Sequence, residues 1–353
     1  MTTHAFAFYR MPYQTAVHVV RQTGTTGADT DARCLLEGGS GFVIAPFAVS
    51  DACPLLLIRP DDEMMLMPEG ADDVLRPWCD EAIGCSAAGC AGERMTREDY
   101  HRVFTCFHGQ VCSGALEKIV LARQEVVPSS DRHPVALFLQ ACQLYPRMFI
   151  ALFYTPQSGL WLTATPELLL ERDSQAWHTV ALAGTIRYEE GETPRWSEKN
   201  IGEQRIVADY VARLLHEYSD EVEQSEPQTV RAGHLIHLRT DFHFTLSDPS
   251  SVNSLVRALH PTPAVCGLPK DEALRLISNE EPFDRRYYSG YAGPWQLQTG
   301  SHLFVALRCM TREHGGWRLF AGGGIVPGSE EESEWQETED KLLTMRRLLY
   351  VQQ

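Results

Sequence analysis

The chain has 353 residues, of which 44% are hydrophobic and 22% charged, which is enough apolar material for a large buried core. Its formal net charge of −16 opposes binding to nucleic-acid phosphates and to anionic membranes, and no basic stripe offsets it. No apolar run is long enough to span a membrane, and the N-terminus lacks a signal-peptide pattern. We therefore expect a cytoplasmic protein with no nucleic-acid or membrane partner.

Apolar or alternating segments rich in β-forming residues predict strands along most of the chain. They are GFVIAPF (41–47), PLLLIRP (54–60), KIVLARQEVV (118–127), RMFIALFYT (147–155), GLWLTA (159–164), WHTVALAGTI (177–186), FVALRCM (304–310) and WRLFAGGGIV (317–326). Helical patterns occur at 133–145, 197–219, 269–279 and 334–353. Short turns between neighbouring strands favour antiparallel pairing, so the predicted class is mixed α/β (α+β) with largely antiparallel sheets. The glycine- and alanine-rich GCSAAGCAGE (84–93) marks either a boundary near residue 95 or a surface loop.

Ten cysteines could form disulfides or a zinc site, but the closest groups, which include Cys79, Cys85 and Cys90, have no CxxC spacing. We expect reduced thiols. His234, His237 and His243 lie in HLIHLRTDFHFTL, where a metal site is conceivable. The alternation instead favours a strand with structural histidines on both faces.

The segment LFAGGGIVPGSEEESEWQETEDKL (319–342) places three consecutive glycines before seven acidic side chains. Backbone amides freed by glycine suit an anion, whereas clustered carboxylates suit a cation. Glu334, Glu337 and Lys341 are three and four residues apart and share one helix face. A favourable helix dipole on an ordinary solvated face explains Glu334 and Glu337 equally well.

Glu203 is harder to explain as a surface residue. It lies one turn before Val207 on the apolar stripe of the helix predicted at 197–219, and therefore on the inward face. Inward carboxylates on two separate helices, beside a glycine turn, match a hard-cation site such as magnesium.

Three further inward-facing candidates lie on predicted strands: Lys118, Glu167 and Arg308. Judged alone, Lys118 is more typical of an edge or surface position. Arg308 lies between Leu307 and Cys309 in an almost wholly apolar segment, so it needs a carboxylate or phosphate partner.

Eight blocks follow one another in the order seen in the chorismate-utilising enzymes. They are KIVLAR (118–123), TATPELL (163–169), ALAGTIR (181–187), SEKNIGEQRIVADYV (197–211), LHPTPAVCG (259–267), RRYYSGYAG (285–293), FVALRC (304–309) and AGGGIVPGSEEESEWQETEDK (321–341). The sequence resembles this family, and within it the isochorismate synthases. The resemblance covers residues 98 to 350. It implies an anthranilate-synthase-type sandwich of antiparallel sheets with helices outside, in which 1–97 form a weakly matched N-terminal part, 98–353 form the catalytic region, and the whole is one compact domain.

The resemblance also implies the site. Chorismate and Mg²⁺ would bind between the sheets, with Glu203 and Glu337 as direct metal ligands and Glu334 helping through water. Residues expected to contact the substrate are Gly184, Thr185, His260, Tyr288, Arg308, Gly322, Gly324 and Lys341. By the same resemblance, Lys118 activates water for attack at ring C2, and Glu167 protonates the hydroxyl that leaves C4. Lys118 must then lose its proton, whereas Glu167 must keep one near neutrality.

Particular positions separate the branches of the family. Amine-forming members carry a nucleophilic lysine where this chain has Ala183, and ammonia-using members lack a lysine at position 118, so water is the expected nucleophile. The HPTPAVCG block is typical of isochorismate synthases, although a salicylate synthase or a non-catalytic chorismate-binding protein stays an alternative. Asn200 and Gln204 depart from the family pattern beside the first metal ligand.

No residue pattern decides whether the product feeds menaquinone, a siderophore or another pathway. We expect a monomer without a glutamine amidotransferase subunit, although no residue pattern determines the oligomeric state.

Overall fold

The structure, a computed structural model, describes residues 5–23, 38–85, 95–128, 132–173, 176–191, 193–313 and 316–350. The strands are β1 Ala5–Arg10, β2 Val17–Gln22, β3 Gly41–Ala45, β4 Leu56–Ile58, β5 Asp62–Leu66, β6 Lys118–Pro128, β7 Phe149–Thr155, β8 Gly159–Thr165, β9 Leu168–Asp173, β10 Ala176–Arg187, β11 Val222–Gln224, β12 Gln228–Ala232, β13 Leu235–Phe244, β14 Gly267–Leu268, β15 Tyr291–Trp295, β16 Ser301–Val305, β17 Cys309–Glu313 and β18 Gly316–Ile325. The helices are α1 Ala71–Cys85, α2 Arg97–Cys112, α3 Pro134–Leu144, α4 Glu198–Leu215, α5 Val252–Leu259, α6 Lys270–Glu280 and α7 Glu331–Leu349, with one 3₁₀ turn at Pro249–Ser251.

The strands form two nine-stranded sheets. The first has the order β14-β6-β18-β17-β8-β7-β1-β2-β5, and the second has the order β11-β13-β10-β9-β16-β15-β3-β4, with β12 paired to β13. The strand pairs in both sheets are antiparallel, for example β6 with β18 and β10 with β13. Strands that precede residue 97 contribute to one edge of each sheet.

The two sheets pack face to face through an aromatic layer. Phe149 of the first sheet stacks on Phe304 of the second, with ring centroids 4.2 Å apart and planes 6° apart. Phe42 and Phe153 make a second aromatic contact between the sheets, with ring centroids 6.1 Å apart and planes tilted by 40°. These side chains are buried in one apolar cluster, so the sheets form a sandwich with its core between them.

Helices cover the outer faces of both sheets. The outer face of the first sheet packs against α1, α3 and α7 in one apolar cluster. The outer face of the second sheet packs against α4 and α5 in another. Because each sheet is apolar on both faces, helices on the outside are needed to exclude water from it.

The four predicted helices and the antiparallel α+β class are confirmed. Three helices, α1, α2 and α5, were not anticipated. The segment FVALRCM is not one strand, because Arg308 has φ 45° and separates β16 from β17. The glycine-rich segment before residue 95 lies mostly outside the described residues.

Within the described part of the chain, no helix is both long and apolar enough to cross a membrane. Seven cysteines are free thiols, as expected: Cys53, Cys79, Cys106, Cys112, Cys142, Cys266 and Cys309. The side chains of Cys34, Cys85 and Cys90 lie outside the described part.

Candidate active site

A cavity between the two sheets collects most of the predicted site residues. Those that line it are Glu167, Gly184, Thr185, Glu203, Tyr288, Arg308, Gly322, Gly324 and Lys341. They come from β10, β18, α4, α7 and the turns that precede β9, β15 and β17, which are far apart in sequence. Antiparallel pairing of β18 with β6 places Gly324 opposite Val120, close to the start of β6 at Lys118.

Lys118 and Glu203 form a buried ion pair at one end of the cavity. Lys118 Nζ lies 2.9 Å from Glu203 Oε1, and the two side chains are 0% and 6% exposed. The reading of Lys118 as an edge or surface residue is therefore wrong. Burial by itself raises the pKa of the Glu203 carboxyl, but the Lys118 and Lys199 ammonium groups outweigh it and hold that pKa below its usual value.

Two other carboxylates of the predicted metal site each have a lysine partner of their own. Lys199 Nζ lies 2.5 Å from Glu334 Oε1, and Lys341 Nζ lies 2.7 Å from Glu337 Oε1. With Lys118 and Glu203, the site contains three carboxylates balanced by three ammonium groups. This balance lets an acidic cluster stay buried without a bound cation.

The three carboxylates lie close enough to act on one another. Burial and the charge of Glu337 together raise the pKa of Glu334 to about 7, against the opposing charge of Lys199. Burial lowers the pKa of Lys199, but the charges of Glu334, Glu337 and Glu203 together raise it above its usual value. The solvated-face reading is wrong for Glu334, which is 1% exposed, and Glu337 is also largely covered, with 13% of its side chain exposed.

The glycines of β18 allow other groups to approach its backbone. A Cβ on Gly324 would lie 2.1 Å from Glu203 Oε1, and one on Gly322 would lie 2.8 Å from Tyr288 Oη. Lys341 Nζ donates to the Gly322 carbonyl over 2.8 Å. The glycine run therefore makes room for side chains as well as leaving its backbone facing the cavity.

Glu167 is a buried carboxylic acid in the turn between β8 and β9. Burial raises the pKa of Glu167 to about 7, against the opposing effect of the Lys118 charge. Thr262 Oγ1 donates to Glu167 Oε1 over 3.3 Å. At neutral pH this group is partly protonated, which is the state that a general acid needs.

Arg308 is a buried cation without a carboxylate partner in the described part of the chain. Its Nη1 donates to the Ala232 carbonyl over 3.2 Å, and its Nη2 contacts His237 Nε2. Within the described residues, no carboxylate lies at ion-pair distance from its guanidinium, and burial lowers the pKa of Arg308 to about 10. A carboxylate or phosphate of a ligand would suit this guanidinium, and such a partner stays a prediction.

His237 is held in one tautomer at the back of the cavity. Its Nδ1 lies 3.1 Å from the Gly184 carbonyl, to which it donates, so Nε2 is left to accept from Arg308. Burial and the Arg308 charge keep the pKa of His237 well below its usual value. The imidazole is thus a neutral support that orients the guanidinium.

Gly184 has φ 71° and lies at a β-bulge between Ala183 and Thr185. A Cβ at this position would be both strained and 3.1 Å from the Asn200 carbonyl oxygen. The bulge turns the backbone of β10 so that Gly184 and Thr185 both line the cavity.

His260 lies outside this cavity, unlike the other residues predicted to contact substrate. Its Nε2 lies 2.9 Å from the Pro46 carbonyl oxygen, and its ring packs edge-on against Tyr291 at 4.9 Å. Burial lowers the pKa of His260 to about 4. A contact between His260 and substrate stays a prediction.

Sequence reasoning missed the roles of Lys199 and His237. Lys199 stands four residues before Glu203 on α4, and that spacing places both on one face, a signal that was available. The strand pattern around His237 was recognised, but nothing in it indicated that Arg308, 71 positions further along the chain, would be its partner. His237 and His243 lie on the same face of β13 because they are six residues apart, and His234 precedes that strand.

The geometry defines a class of protein. Two antiparallel sheets enclose a cavity lined by the buried Arg308, by the carboxylic acid Glu167, whose pKa is raised to about 7, and by Glu203 and Lys341, each of which belongs to a carboxylate–lysine pair. Such a cavity suits a small organic anion together with a hard cation.

Comparison with known proteins identifies the family. The model of the chorismate binding enzyme family matches residues 85–350, and the chain belongs to that family. The isochorismate synthase EntC of Escherichia coli (strain K12) is 36% identical over 204 residues, which are 55% of this chain and 52% of that protein. The matched segment thus spans about half the length of this curated relative.

Solved structures agree with the fold. The menaquinone-specific isochorismate synthase MenF from Escherichia coli superposes with a TM-score of 0.76 at 26% identity, over 99% of this chain and 89% of that one. Anthranilate synthase component I from Streptococcus pneumoniae superposes with a TM-score of 0.70 at 16% identity, over 98% and 92%. The fold is therefore of the anthranilate-synthase component I type.

Proposed function

We propose that this protein is an isochorismate synthase, which converts chorismate to isochorismate by adding water at C2 and expelling the C4 hydroxyl. The observation that carries the proposal is that one cavity contains both Arg308, which has no carboxylate partner among the described residues, and Glu167, whose pKa burial raises to about 7. The first group suits a substrate carboxylate, and the second can donate a proton to a leaving hydroxyl.

The substrate carries two carboxylates, and the cavity offers a cation for each. The Arg308 fork, with Tyr288 nearby in the cavity, suits the enolpyruvyl carboxylate. The ring carboxylate would lie towards the backbone of Gly322 and Gly324 and the ammonium group of Lys341, which already donates to the Gly322 carbonyl.

The carboxylates fit a magnesium ion. Both carboxylate oxygens of Glu334 are buried, and Glu203 and Glu337 act with Glu334 on the same Lys199 ammonium group. Glu203 and Glu337 would hold the ion directly and Glu334 through water. When bound, magnesium would supply positive charge to the ring carboxylate and to these side chains.

Lys118 and Glu167 would divide the two proton transfers. Lys118 would act in its neutral amine form and take a proton from the attacking water as that water adds to C2. Glu167 gives its proton to the C4 hydroxyl, which leaves as water while the ring double bonds shift. One water enters and one leaves, so the net reaction is an isomerisation.

The test is to incubate the purified protein with chorismate and Mg²⁺ and to identify the product by chromatography and mass. We expect isochorismate. Release of pyruvate with salicylate would assign a salicylate synthase instead, and binding of chorismate without turnover would assign a non-catalytic binder.

Variants distinguish the assigned roles. Lys118→Met and Glu167→Gln should each lower kcat by about a hundredfold or more, with chorismate binding retained. Glu337→Gln should weaken magnesium and chorismate binding together, whereas Glu332→Gln, on the exposed face of the same helix, should change neither. Normal activity of Glu337→Gln at limiting magnesium would contradict the metal assignment.

A further inference from the structure

A row of titratable side chains crosses the second sheet away from the cavity. The strand register places His302 opposite Glu171, Glu171 opposite His178, His178 opposite His243, and His243 opposite Glu223. The row therefore runs over five adjacent strands, β16, β9, β10, β13 and β11. The mechanism proposed above uses none of these residues.

Three side chains in and beside this row converge. Asp241 and His243 are two residues apart on β13 and therefore lie on the same face of the sheet. His178 faces them from β10, with its ring 4.4 Å from that of His243. One ligand atom from each of His178, Asp241 and His243 lies within 4.8 Å of the others. An i, i+2 pair on one strand and a third residue on its neighbour can surround one small cation.

The neighbouring carboxylate orients the central imidazole. Glu171 Oε1 lies 2.7 Å from His178 Nδ1, and Glu171 Oε2 lies 2.8 Å from His302 Nδ1. The second nitrogen of His302 donates to the Thr299 carbonyl over 2.7 Å, which anchors this end of the row. A carboxylate on the far nitrogen is the usual support of a metal-bound histidine, because it determines the tautomer and the ring orientation.

The remaining nitrogen of His178 points at Asp241. His178 Nε2 lies 2.8 Å from Asp241 Oδ1, so without a metal both ring nitrogens carry protons and donate to carboxylates. Arg239 also donates to Asp241, with Nε 3.0 Å from Oδ1 and 3.1 Å from Oδ2. Each carboxylate oxygen has two lone pairs, so Asp241 Oδ2 can accept a cation without losing Arg239.

The group is accessible from solvent. The side chains of His178 and Asp241 are 12% and 20% exposed, and His243 is exposed. A cation could enter from the His243 side, and water could complete its coordination. His243 lies six residues along β13 from His237, which is roughly 20 Å at the rise of a strand. The group is therefore separate from the cavity between the sheets.

We propose that His178, His243 and Asp241 bind one zinc-class divalent cation, with water in the fourth position, and that this ion ties β10 to β13. Two imidazoles and one carboxylate suit zinc and its neighbours in the first transition series, whereas magnesium prefers oxygen ligands alone. On binding, His178 Nε2 releases its proton to solvent and the metal–nitrogen bond forms in its place. His243 turns about its side-chain bonds to present a ring nitrogen.

Zinc titration of the metal-free protein by calorimetry, in saturating Mg²⁺, tests the proposal. We expect one zinc ion per chain at this site and a higher melting temperature with zinc. Cobalt in place of zinc should show visible absorption typical of nitrogen and oxygen ligands. His243→Ala should weaken zinc binding by more than about tenfold, and Glu171→Gln, which removes the supporting charge only, by about tenfold.

Two control variants exclude other sites. His108 and Cys112, exposed on α2, have Nε2 and Sγ 3.4 Å apart and are a competing pair, while Glu337 belongs to the proposed magnesium site. Cys112→Ser and Glu337→Gln should therefore leave zinc binding at the proposed site unchanged. Zinc binding that survives both His243→Ala and His178→Gln, or that is lost in Cys112→Ser, would overturn the proposal, as would the absence of binding to the parent protein. Because His243 is exposed, His243→Ala should keep the melting temperature of the metal-free protein.

Discussion

The Glu203 carboxylate lies where a side chain on Gly324 would begin. A Cβ on Gly324 would be 2.1 Å from Glu203 Oε1 and 2.8 Å from Lys118 Cε. The buried ion pair between Glu203 and Lys118 therefore depends on the absence of a side chain at residue 324. Gly324 is required for the space it leaves, since its backbone does not adopt the left-handed conformation.

Replacing Gly324 should impair magnesium binding and turnover more than it impairs folding. In Gly324→Ala the methyl group displaces Glu203 and Lys118, so we expect magnesium affinity and turnover each to fall by about a hundredfold or more. Turnover at increasing magnesium concentration measures both. The control is Gly328→Ala, where a Cβ meets no atom within 4 Å. Similar activities for the two variants would refute the steric explanation.

Arg308→Lys should weaken chorismate binding more than it alters folding. The lysine keeps one charge but loses the planar fork and the contact with His237, so KM should rise by about tenfold to a hundredfold. The melting temperature should fall modestly, because a buried ammonium group costs more to desolvate than a guanidinium and the contacts with the Ala232 carbonyl and His237 are lost. An unchanged KM would show that Arg308 does not bind the substrate.

The pH dependence of turnover should report Glu167. Its pKa is raised to about 7 by burial, and only the protonated form can donate to the leaving hydroxyl. We therefore expect kcat/KM to fall as the pH rises through about 7, one decade per pH unit. Glu167→Gln should have a low kcat/KM that no longer falls as the pH rises through about 7. A parent profile that stays flat up to pH 9 would be incompatible with Glu167 as the acid.

The same carboxyl should make stability depend on pH. Its pKa is about 7 in the folded state against 4.5 for a solvent-exposed glutamate, so the folded state keeps the proton to a higher pH. The contribution of Glu167 to the free energy of unfolding is then fully present below pH 4.5. It is lost as the pH rises through 7, by about 3 kcal/mol in all. Glu167→Gln has no carboxyl at this position. Its free energy of unfolding should therefore fall less between pH 5 and pH 8 than that of the parent.

Urea unfolding at the two pH values, with Glu332→Gln as an exposed control, checks this expectation. The comparison between variants removes the contributions of the other titrating groups, which they share. If the parent and Glu167→Gln lose the same free energy of unfolding between pH 5 and pH 8, the carboxyl is not held protonated by burial.

Local sequence patterns predicted helices and strands whose formation depends on residues close to one another in the chain. The helix at Glu198–Leu215 and the strand at Gly316–Ile325 follow from apolar periodicity, and the buried position of Glu203 follows from its place on the apolar stripe. The same patterns failed at Arg308, where a left-handed residue interrupts an apolar run that otherwise favours a strand. The order of the sequence blocks also indicated the family, to which the comparisons assign residues 85–350.

What the sequence determined by itself is the class of fold, the family and a set of candidate residues, because these depend on residue type and short-range spacing. Only the tertiary structure decided which side chains become partners. The pairing of each carboxylate with its own lysine, the support of Arg308 by His237, and the row from His302 to Glu223 all join distant segments. The register of the sheets and their burial determine those distances and the raised pKa of Glu167, and neither can be read from the order of residues along the chain.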